Sequence, residues 1–345
     1  MEKDTMKAWF LTKHGDAQNA FELCETARPV PTDQQVLIKV EAFGLNFADI
    51  MARRGLYEDC PSLPAILGYD VVGVIQSLGK NADEKLLGKR VAALCRFGGY
   101  AEYVVTDHRA LVPIPDEMPA CEATALGTQY LTAYYSMYMH MNLQAGDKVL
   151  IHAAAGGVGT ALTQLAKNKG CIVFGNAGSD EKLDYLKNNN VDYPINYRQH
   201  DYEKEIKVIL KKEKLQAIFN PIGGKTFKKD MRLIGAGGTL LLFGASQRIG
   251  SSSKWIATMK FLWDMGLMIP IMLVGSSKSI AGVNMLRVSD HAPEKIQYCL
   301  NGLIELYKLK KINPHAGGLF PSNELAKAHE LLESRNSTGK IAVFW

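Results

Sequence analysis

The stretch that most constrains the fold of this chain is Lys148–Lys169. A short apolar run, Val149–Ile151, leads into a glycine-rich turn, and an amphipathic pattern follows. A strand, a glycine turn and a helix in this order are typical of dinucleotide binding, because the backbone can approach a diphosphate and the first helical N–H groups face it. The spacing departs from G-x-G-x-x-G, since Ala153 or Ala155 stands where glycine is usual. The sequence predicts dinucleotide contacts at Ala155, Gly156, Gly157, Val158 and Gly159.

The residues before position 122 have the composition of a β domain. Short strand-like runs are separated by Gly and Pro, which favours a mainly antiparallel, partly closed sheet. The tail carries a predicted helix, Glu324–Glu333, and a predicted strand, Ile341–Phe344, that we interpret as a return to this domain. We therefore predict one domain formed by residues 1–121 and 289–345. The predicted strands are Met6–Leu11, Gln35–Ala42, Val71–Leu78, Arg90–Cys95 and Tyr100–Val105.

From position 122 onward the pattern alternates. A predicted helix, Glu122–Met139, precedes the glycine turn, and strands then alternate with helices over short links. This alternation predicts the α/β class, with a doubly wound parallel Rossmann sheet over residues 122–288. One more strand is expected near Ser279–Leu286, before an amphipathic helix at Pro293–Leu309. The other predicted elements are strands Cys171–Gly175, Asp192–Ile195, Ala217–Asn220 and Gly238–Phe243, and helices Asp180–Asn188, Tyr202–Lys212, Lys225–Ile234 and Lys254–Met265.

Charge and cysteine usage exclude several classes of protein. The 345 residues carry a net charge of +5, from 40 basic and 35 acidic residues without a long basic block, which does not favour nucleic acid as a partner. The six cysteines form no C-x-x-C pair, which predicts reduced thiols in the cytoplasm. The charged start is unlike a signal peptide, and no G-x-S-x-G elbow indicates a hydrolase. His152 is predicted to be structural, and His291, His315 and His329 to lie at the surface.

The end of the second strand in such a sheet decides which nicotinamide cofactor is bound. An acid there would hold a free ribose 2′-hydroxyl and repel a 2′-phosphate. Asn176–Gly178 contains no acid, whereas Ser179 and Lys182 can donate hydrogen bonds to a phosphate. Asp180 and Glu181 are expected to face solvent from the first turn of a helix. The sequence favours NADPH over NADH, although an ordinary exposed lysine is the alternative for Lys182.

Two later predicted strands also end in glycine turns, Asn220–Gly224 and Phe243–Ser246. Ligands of open parallel sheets bind beyond the carboxyl ends of the strands. We therefore predict that these turns line the cofactor, through Asn220, Gly223, Phe243, Gly244 and Ala245.

The stretch GLNFADIMARRGLY, Gly44–Tyr57, resembles the G-x-N-x-x-D…R-x-G-x-Y pattern of the quinone oxidoreductases. These form the zinc-free, zeta-crystallin-like branch of the medium-chain dehydrogenase/reductase superfamily. Leu131–Tyr134, Ala154–Gly159 and Ile195–Tyr197 match the same branch. The full string Gly44–Tyr57, the Asn220–Gly224 turn and the Trp-containing segment after Lys254 look closest to the vesicle amine transport protein homologues. The resemblance implies a GroES-like β domain beside the Rossmann domain, and a homodimer that pairs through the strand near Ser279.

The resemblance also suggests residue roles. The positions that hold the catalytic metal in zinc-dependent relatives carry Asn46, Tyr69 and Thr128, which are not a zinc ligand set. The resemblance places Asn46 beside the nicotinamide, where its amide could bind cofactor or substrate, and assigns Thr132 to the nicotinamide side. Further expected contacts with NADPH are Tyr197 and Arg335. Tyr57 is the candidate that stabilises or protonates the substrate oxygen, and Asp49 is expected to cap local backbone.

The predicted function is zinc-independent transfer of hydride from NADPH to a quinone or an α,β-unsaturated carbonyl. One alternative is a dedicated 2-alkenal or enoyl reductase. Another is a nucleotide-binding protein of vesicles or membranes with little catalysis, which the apolar segment Met259–Val274 favours. That segment is too short for a membrane span and contains Asp264 and Pro270, so we interpret it as a helix over a substrate cleft or a patch for lipid or a partner.

Overall fold

The structure is a computed structural model that describes residues 4–246 and 254–345, with side chains from residue 258 onward in the second range. The chain forms two compact units. Unit 1 comprises Met1–Leu131 and Met285–Trp345, and unit 2 comprises Thr132–Asn284.

Unit 1 is built on two mainly antiparallel sheets, in which only the last two strands of the chain, Ala316–Pro321 and Lys340–Phe344, pair in parallel among the described residues. A three-stranded sheet has the order β2-β1-β4, and a larger one has the order β15-β16-β3-β5-β6-β8, with β7 paired to β3. The strands are β1 (Thr5–Leu11), β2 (Phe21–Ala27), β3 (Gln35–Leu45), β4 (Ala65–Ile66), β5 (Asp70–Leu78), β6 (Arg90–Leu94), β7 (Tyr103–Asp107), β8 (Leu111–Pro113), β15 (Ala316–Pro321) and β16 (Lys340–Phe344). The helices are α1 (Ala17–Ala20), α2 (Phe47–Arg53), α3 (Ala120–Ala125), α11 (Met285–His291), α12 (Pro293–Lys308) and α13 (Leu325–Glu333).

The long strand β3 organises unit 1. It is almost wholly buried, and it pairs antiparallel with β5, β7 and β16. Because β16 comes from the tail, the predicted return of the chain to the first domain is confirmed. The sequence did not predict β2, whose residues are mostly exposed, or the short strand β8.

Unit 2 is a parallel sheet with the strand order β11-β10-β9-β12-β13-β14. The predicted doubly wound α/β fold is confirmed, and a cluster that includes Leu150, Phe174, Ile218 and Leu240 forms its core. The strands are β9 (Lys148–Ile151), β10 (Ile172–Ala177), β11 (Tyr193–Asn196), β12 (Leu215–Asn220), β13 (Ile234–Leu242) and β14 (Ser279–Gly282). The helices are α5 (Gly157–Asn168), α6 (Asp180–Asn188), α7 (Tyr202–Leu210), α8 (Lys225–Leu233), α9 (Lys254–Met265) and α10 (Pro270–Ser276).

The helix predicted at Glu122–Met139 is present, but it is not a regular α-helix. It begins at Ala120 as α3, and α4 (Leu131–Tyr134) lies between two π-helical turns, Leu126–Tyr130 and Tyr135–Met139. Gly127 explains why the first π turn packs so closely on β6, because a Cβ there would lie 2.7 Å from the carbonyl oxygen of Ala93 in that strand.

Two expectations are corrected. The strand expected over Ser279–Leu286 ends at Gly282, and a helix begins at Met285. His329 is not at the surface: it is fully buried in α13, and its Nε2 lies 3.2 Å from the Tyr100 hydroxyl. Burial, together with the nearby charge of Arg53, lowers the pKa of His329 well below its usual value, so this imidazole is a neutral core group.

Candidate active site

The glycine turn lies at the centre of the unit 2 sheet. It connects β9 to α5, and β9 is flanked by β10 and β12, so the turn opens at the point where the strand order reverses direction. Gly159 must be glycine, because a Cβ there would lie 2.3 Å from the carbonyl oxygen of Ala153. Ala153 itself has φ +50°, a left-handed conformation that glycine usually adopts. The first N–H groups of α5, which follow this turn directly and receive no side-chain cap at Gly156, lack acceptors within the helix and can bind an anion.

The turn that follows β10 contacts the turn that follows β11. A Cβ at Gly178 would lie 2.9 Å from the Tyr197 hydroxyl and 3.4 Å from Arg198 Nε. Burial lowers the pKa of Lys182, and the charge of Arg198 lowers it further. The two cationic side chains therefore lie near each other. The structure thus brings the predicted residues Lys182 and Tyr197 to the same strand tip. Arg198 joins them, although the sequence analysis did not select it.

The acids of α6 are exposed, as expected, and both have hydrogen-bond partners. Asp180 accepts hydrogen bonds of 2.8 Å from Asn196 Nδ2 and from Gln199 Nε2, and these bonds lower its pKa. A hydrogen bond from the Ser179 hydroxyl lowers the pKa of Glu181. The Ser179 hydroxyl, predicted to bind a phosphate, therefore has a partner within the chain, the carboxylate of Glu181.

The fully buried side chain of Asn220 stabilises the Asn220–Gly224 turn. Its Oδ1 accepts from the backbone N–H of Ile222 and of Gly223, at 2.7 Å and 2.9 Å. Gly223 lies against a ring of α9, because a Cβ there would be 2.6 Å from Phe261 Cζ. The side chain of Asn220 thus shapes the turn, and any ligand there meets backbone. The second predicted turn is adjacent, since a Cβ at Gly244 would lie 2.6 Å from the carbonyl oxygen of Pro221.

A buried network connects the strand ends beneath these turns. His152, immediately after β9, places Nε2 3.0 Å from Asp230 Oδ1 and Nδ1 3.1 Å from Asn176 Nδ2. Asp230 also accepts from Asn220 Nδ2 at 2.6 Å and from the Tyr202 hydroxyl at 3.0 Å. The predicted structural role of His152 is confirmed, because this network ties three strands and α8 together.

In unit 1, Asn46 and Asp49 begin helix α2. The Asn46 N–H donates to Asp49 Oδ2 at 2.8 Å, and the Gly68 N–H lies 3.3 Å from Asp49 Oδ1. The predicted capping role of Asp49 is confirmed. Burial raises the pKa of Asp49 to about 7, although the two N–H groups and the Lys340 ammonium oppose this shift.

The Asn46 carboxamide has two buried partners. Its Oδ1 accepts from Lys340 Nζ at 3.0 Å, and its Nδ2 donates to Asp70 Oδ2 at 3.0 Å. Lys340 and Asp70 are fully buried and form an ion pair of 2.6 Å. Sequence reasoning missed both residues, since Lys340 looks like an ordinary residue at the start of a strand and lies 294 positions from Asn46.

Tyr57 lies close to Asn46 in the chain, after α2, and its ring meets that of Tyr69 edge-on at 6.2 Å between centroids. Burial raises the pKa of Tyr57 to about 12, and the carboxylate of Asp59 adds to the shift. Tyr57 therefore keeps its proton at neutral pH and can donate a hydrogen bond.

The positions that hold zinc in metal-dependent relatives do not fit the metal. They offer the amide of Asn46, the phenol of Tyr69 and the hydroxyl of Thr128, whereas zinc prefers thiolate, imidazole or carboxylate ligands. The Asn46 oxygen is also committed to an ammonium group. Within residues 4–246 and 254–345, no three His, Cys, Asp or Glu side chains converge on a point that could hold a metal ion.

The last two predicted residues are Thr132 in unit 2 and Arg335 in unit 1. Thr132 is buried in the helix that opens unit 2. Arg335 is exposed in the turn after α13 in unit 1, with φ +60°.

Comparisons with known proteins agree with this geometry. Residues 32–116 match the alcohol dehydrogenase GroES-like domain family, and residues 157–299 match the zinc-binding dehydrogenase family. The human synaptic vesicle membrane protein VAT-1 homolog is 33% identical over 91% of this chain and 80% of its own length. Human quinone oxidoreductase is 30% identical over 92% of this chain and 91% of its own length.

The chain belongs to the quinone oxidoreductase-like branch of the medium-chain dehydrogenase/reductase superfamily. The resemblance described above is confirmed, as is the combination of a GroES-like and a Rossmann-like domain. A solved structure of the quinone oxidoreductase from Thermus thermophilus and its complex with NADPH is 28% identical to this chain. It superposes with a TM-score of 0.79 and covers 99% of this chain and all of its own. The family is one of oxidoreductases.

Proposed function

We propose that the chain is an NADPH-dependent, metal-independent reductase of quinones or α,β-unsaturated carbonyls. The observation that carries the proposal is the turn before α5, where Gly159 packs against the Ala153 carbonyl at the reversal point of a parallel sheet. A cofactor diphosphate fits such a turn, because N–H groups and backbone line it where side chains would otherwise project. The NADPH complex of the T. thermophilus relative supports this assignment.

Most of the residues that would hold the dinucleotide belong to unit 2, whereas Arg335 belongs to unit 1. The first N–H groups of α5 receive the diphosphate, while Lys182 and Tyr197 receive the 2′-phosphate at the tip of β10. The Asn220–Gly223 turn presents backbone N–H and C=O groups at the next strand end. Thr132 and Arg335 are assigned to the nicotinamide side and the phosphate side, respectively. NADPH, when bound, supplies the hydride that the reaction needs.

Residues of unit 1 would act on the substrate. The acceptor gains a hydride and a proton, and negative charge develops on its oxygen before the proton arrives. Tyr57 can donate a hydrogen bond to that oxygen, because burial keeps its phenol protonated. Asn46 can add an amide N–H, since only one of its two is used by Asp70. Quinones and enals accept hydride readily, so oriented donors suffice where no metal polarises the carbonyl.

The test is a screen of acceptors that follows the nicotinamide absorbance of NADPH. The proposal expects consumption of NADPH that depends on a quinone, an enal or both, and slower consumption of NADH at equal concentration. A ratio of turnover that strongly favours the enal would indicate the narrower 2-alkenal or enoyl reductase. NADPH that binds and is never consumed over the panel would contradict the proposal.

A second function has its own observation, the exposed apolar surface of α9 and α10. Thr258–Ser276, 19 residues long, contains an 18-residue window whose mean hydropathy of 1.3 is high enough for a membrane span, and none of this window is buried. The side chains of Trp263 and Leu267 are 83% and 89% exposed. The helix breaks between Met265 and Pro270, which suits a segment that lies on a lipid surface better than one that spans it. We infer peripheral contact of this surface with membranes.

Flotation with liposomes tests this second function. The variants Trp263→Glu and Leu267→Glu should release the protein from vesicles. The matched control is Val208→Glu in α7, which changes a 74% exposed side chain outside the surface and should leave binding intact. Equal binding by all variants would contradict membrane contact through α9 and α10.

A homodimer is also part of the proposal. Strand β14 ends the parallel sheet and pairs with β13 on one side, so its other edge can pair with a second copy across a two-fold axis. Light scattering after size exclusion should give twice the mass of the chain. A monomer at micromolar concentration would contradict this assembly.

A further inference from the structure

Three buried polar groups of unit 1 form a closed triangle. Lys340 Nζ lies 2.6 Å from Asp70 Oδ2 and 3.0 Å from Asn46 Oδ1, and Asn46 Nδ2 lies 3.0 Å from Asp70 Oδ2. Lys340 and Asp70 are fully buried, and Asn46 is 7% exposed. A buried ion pair is costly unless further hydrogen bonds satisfy its charges, and Asn46 supplies one such bond to each partner here, while Asp70 Oδ1 has no hydrogen-bond partner among the described residues.

The triangle fixes the direction of the Asn46 carboxamide. A half-turn of this group would bring its NH₂ against the Lys340 ammonium and its oxygen against the Asp70 carboxylate. Both contacts would then be repulsive, whereas in the observed direction both are hydrogen bonds with a charged partner. The second N–H of Asn46 then has no hydrogen-bond partner among the residues that the structure describes, so it is available as a donor.

The backbone makes room for this arrangement at Gly44. A Cβ there would lie 2.0 Å from Lys340 Cε and 2.4 Å from Asp70 Oδ1. The ammonium can reach Asn46 only because β3 carries a glycine opposite the start of β16. The same three elements, β3, β5 and β16, thus position the ion pair and the residue that it orients.

We propose that Lys340 is a positioning residue, whose buried ammonium, paired with Asp70, holds the Asn46 carboxamide so that its free N–H donates to an oxygen of the bound ligand. This inference rests on the proposed function. The oxygen is either the reacting carbonyl oxygen of the substrate or a hydroxyl of the nicotinamide ribose. In the first case the loss of Lys340 lowers kcat, and in the second case it raises the Kd of NADPH.

A double-mutant cycle tests the inference. Lys340→Met should lower kcat/KM by about 10–100-fold, the usual cost of a misplaced group near the reaction. In an Asn46→Ala background the same change should cost less than about twofold, because there is no carboxamide left to orient. The matched control is Lys278→Met in unit 2, which removes an ammonium that donates to a backbone carbonyl and should leave kcat/KM unchanged.

The inference is overturned if Lys340→Met costs the same factor with and without the Asn46 carboxamide, or if a folded Lys340→Met enzyme keeps full activity. Lys340→Met leaves Asp70 as a buried unpaired carboxylate. Should that variant not fold, Asp70→Asn/Lys340→Met takes its place in the cycle, because it removes both charges together. An equal cost with and without the Asn46 carboxamide, or full activity of this double variant, would then overturn the inference.

A readout without turnover separates this inference from the proposed function. In the wild type, one Nδ2 proton of Asn46 is bonded to Asp70 and should exchange slowly with solvent, while the other should exchange fast. In the lysine variant the bond to Asp70 remains but the partner of Asn46 Oδ1 is lost, so the slow proton should exchange several-fold faster than in the wild type. Wild-type protein that consumes no NADPH would contradict only the proposed function, whereas two protons that exchange equally in the wild type would overturn the role of Lys340.

Discussion

Each unit of the protein buries a polar network, and the two networks differ in charge. In unit 2, a single carboxylate, Asp230, accepts from His152, Asn220 and Tyr202 beneath the turns assigned to the cofactor. In unit 1, two carboxylates and an ammonium, those of Asp49, Asp70 and Lys340, lie within one buried cluster. The network around Asp230 connects the carboxyl ends of β9, β10 and β12. The cluster in unit 1 holds charge next to the residues assigned to the substrate.

The difference explains what each unit can do. A network of hydrogen bonds around one satisfied carboxylate is stiff and suits a site that binds a rigid cofactor. In unit 1, the ion pair of Lys340 and Asp70 lies near the Asp49 carboxyl, whose pKa is raised to about 7. Groups with perturbed pKa values are common at sites where charge develops during a reaction. The predictions below separate the two networks, from the largest expected effect to the smallest.

Matched substitutions at the two buried carboxylates should have unequal costs. Asp70→Asn leaves the Lys340 ammonium without a countercharge and should lower the free energy of unfolding by about 3–5 kcal/mol. Asp230→Asn leaves donors less well satisfied and should cost about 1–3 kcal/mol. Denaturant-induced unfolding of the two variants measures both. Equal losses would remove the proposed contrast between the networks.

Tyr57→Phe should change catalysis and leave cofactor binding alone. Without the phenolic O–H, the developing charge on the substrate oxygen loses a donor, and kcat should fall by about 100-fold. The Kd of NADPH should stay within about twofold, because Tyr57 is not among the residues predicted to bind the dinucleotide. Tyr298→Phe, a 60% exposed tyrosine of α12, serves as the control. An unchanged kcat would remove Tyr57 from the mechanism.

Asp49→Asn should change how stability depends on pH. The carboxyl titrates near pH 7 in the folded protein, above its ordinary value of 3.8, so the native state holds a proton that the unfolded chain has released. Wild-type stability therefore falls as pH rises toward 7, and the asparagine variant lacks this fall. Relative to the wild type, Asp49→Asn should gain about 2 kcal/mol between pH 5 and pH 7.

Unfolding curves of both proteins over this pH range give the difference directly. The lost cap on Asn46 and Gly68 adds an offset that does not vary with pH. Parallel curves would show that Asp49 is ionised in the folded protein over the whole range.

Lys182→Ala should affect binding of the cofactor and not the chemistry. Removal of a charged donor to the 2′-phosphate should weaken NADPH by about tenfold and leave NADH nearly unchanged. Lys187→Ala in the same helix, at a lysine paired with Asp184, is the control and should change neither. Titration of each variant with NADPH and with NADH gives four dissociation constants, which are compared with those of the wild type. A similar loss for NADH and NADPH would refute the phosphate assignment.

Ala153→Gly should give the smallest effect. Ala153 has φ +50°, which is strained for any residue with a Cβ, so glycine should stabilise the protein by up to about 1 kcal/mol without loss of NADPH affinity. Ala155→Gly, in the same turn, relieves no positive φ and should destabilise instead. Thermal unfolding with and without NADPH measures both. Destabilisation by glycine at position 153 would show that the alanine methyl packs productively.

The parts that the sequence predicted are those encoded in continuous stretches. The strand, turn and helix of Lys148–Lys169 are local, and the alternation that follows them allows few arrangements other than a parallel sheet. The cap at Asp49 was predictable for the same reason, because its partner Asn46 lies three positions away.

The parts that were missed depend on distant residues. Lys340 is 270 positions from Asp70, and nothing in its neighbourhood marks it as a buried ion. His329 looked like a surface histidine because its burial depends on Tyr100, 229 positions earlier. Arg198 joins the tip of β10 only because two turns meet there. Such contacts follow from the sheet topology and not from any local pattern.

The central claim is that NADPH bound by this chain passes its hydride to a quinone or an enal, with Tyr57 as the donor to the substrate oxygen. A single-turnover reaction with NADPH deuterated at the transferred position, and an α,β-unsaturated aldehyde as acceptor, tests this most directly. The account predicts deuterium on a carbon of the saturated product, formed at a rate that Tyr57→Phe reduces. Labelled NADPH that stays bound and intact in the presence of the enal, and likewise of a quinone, would contradict it.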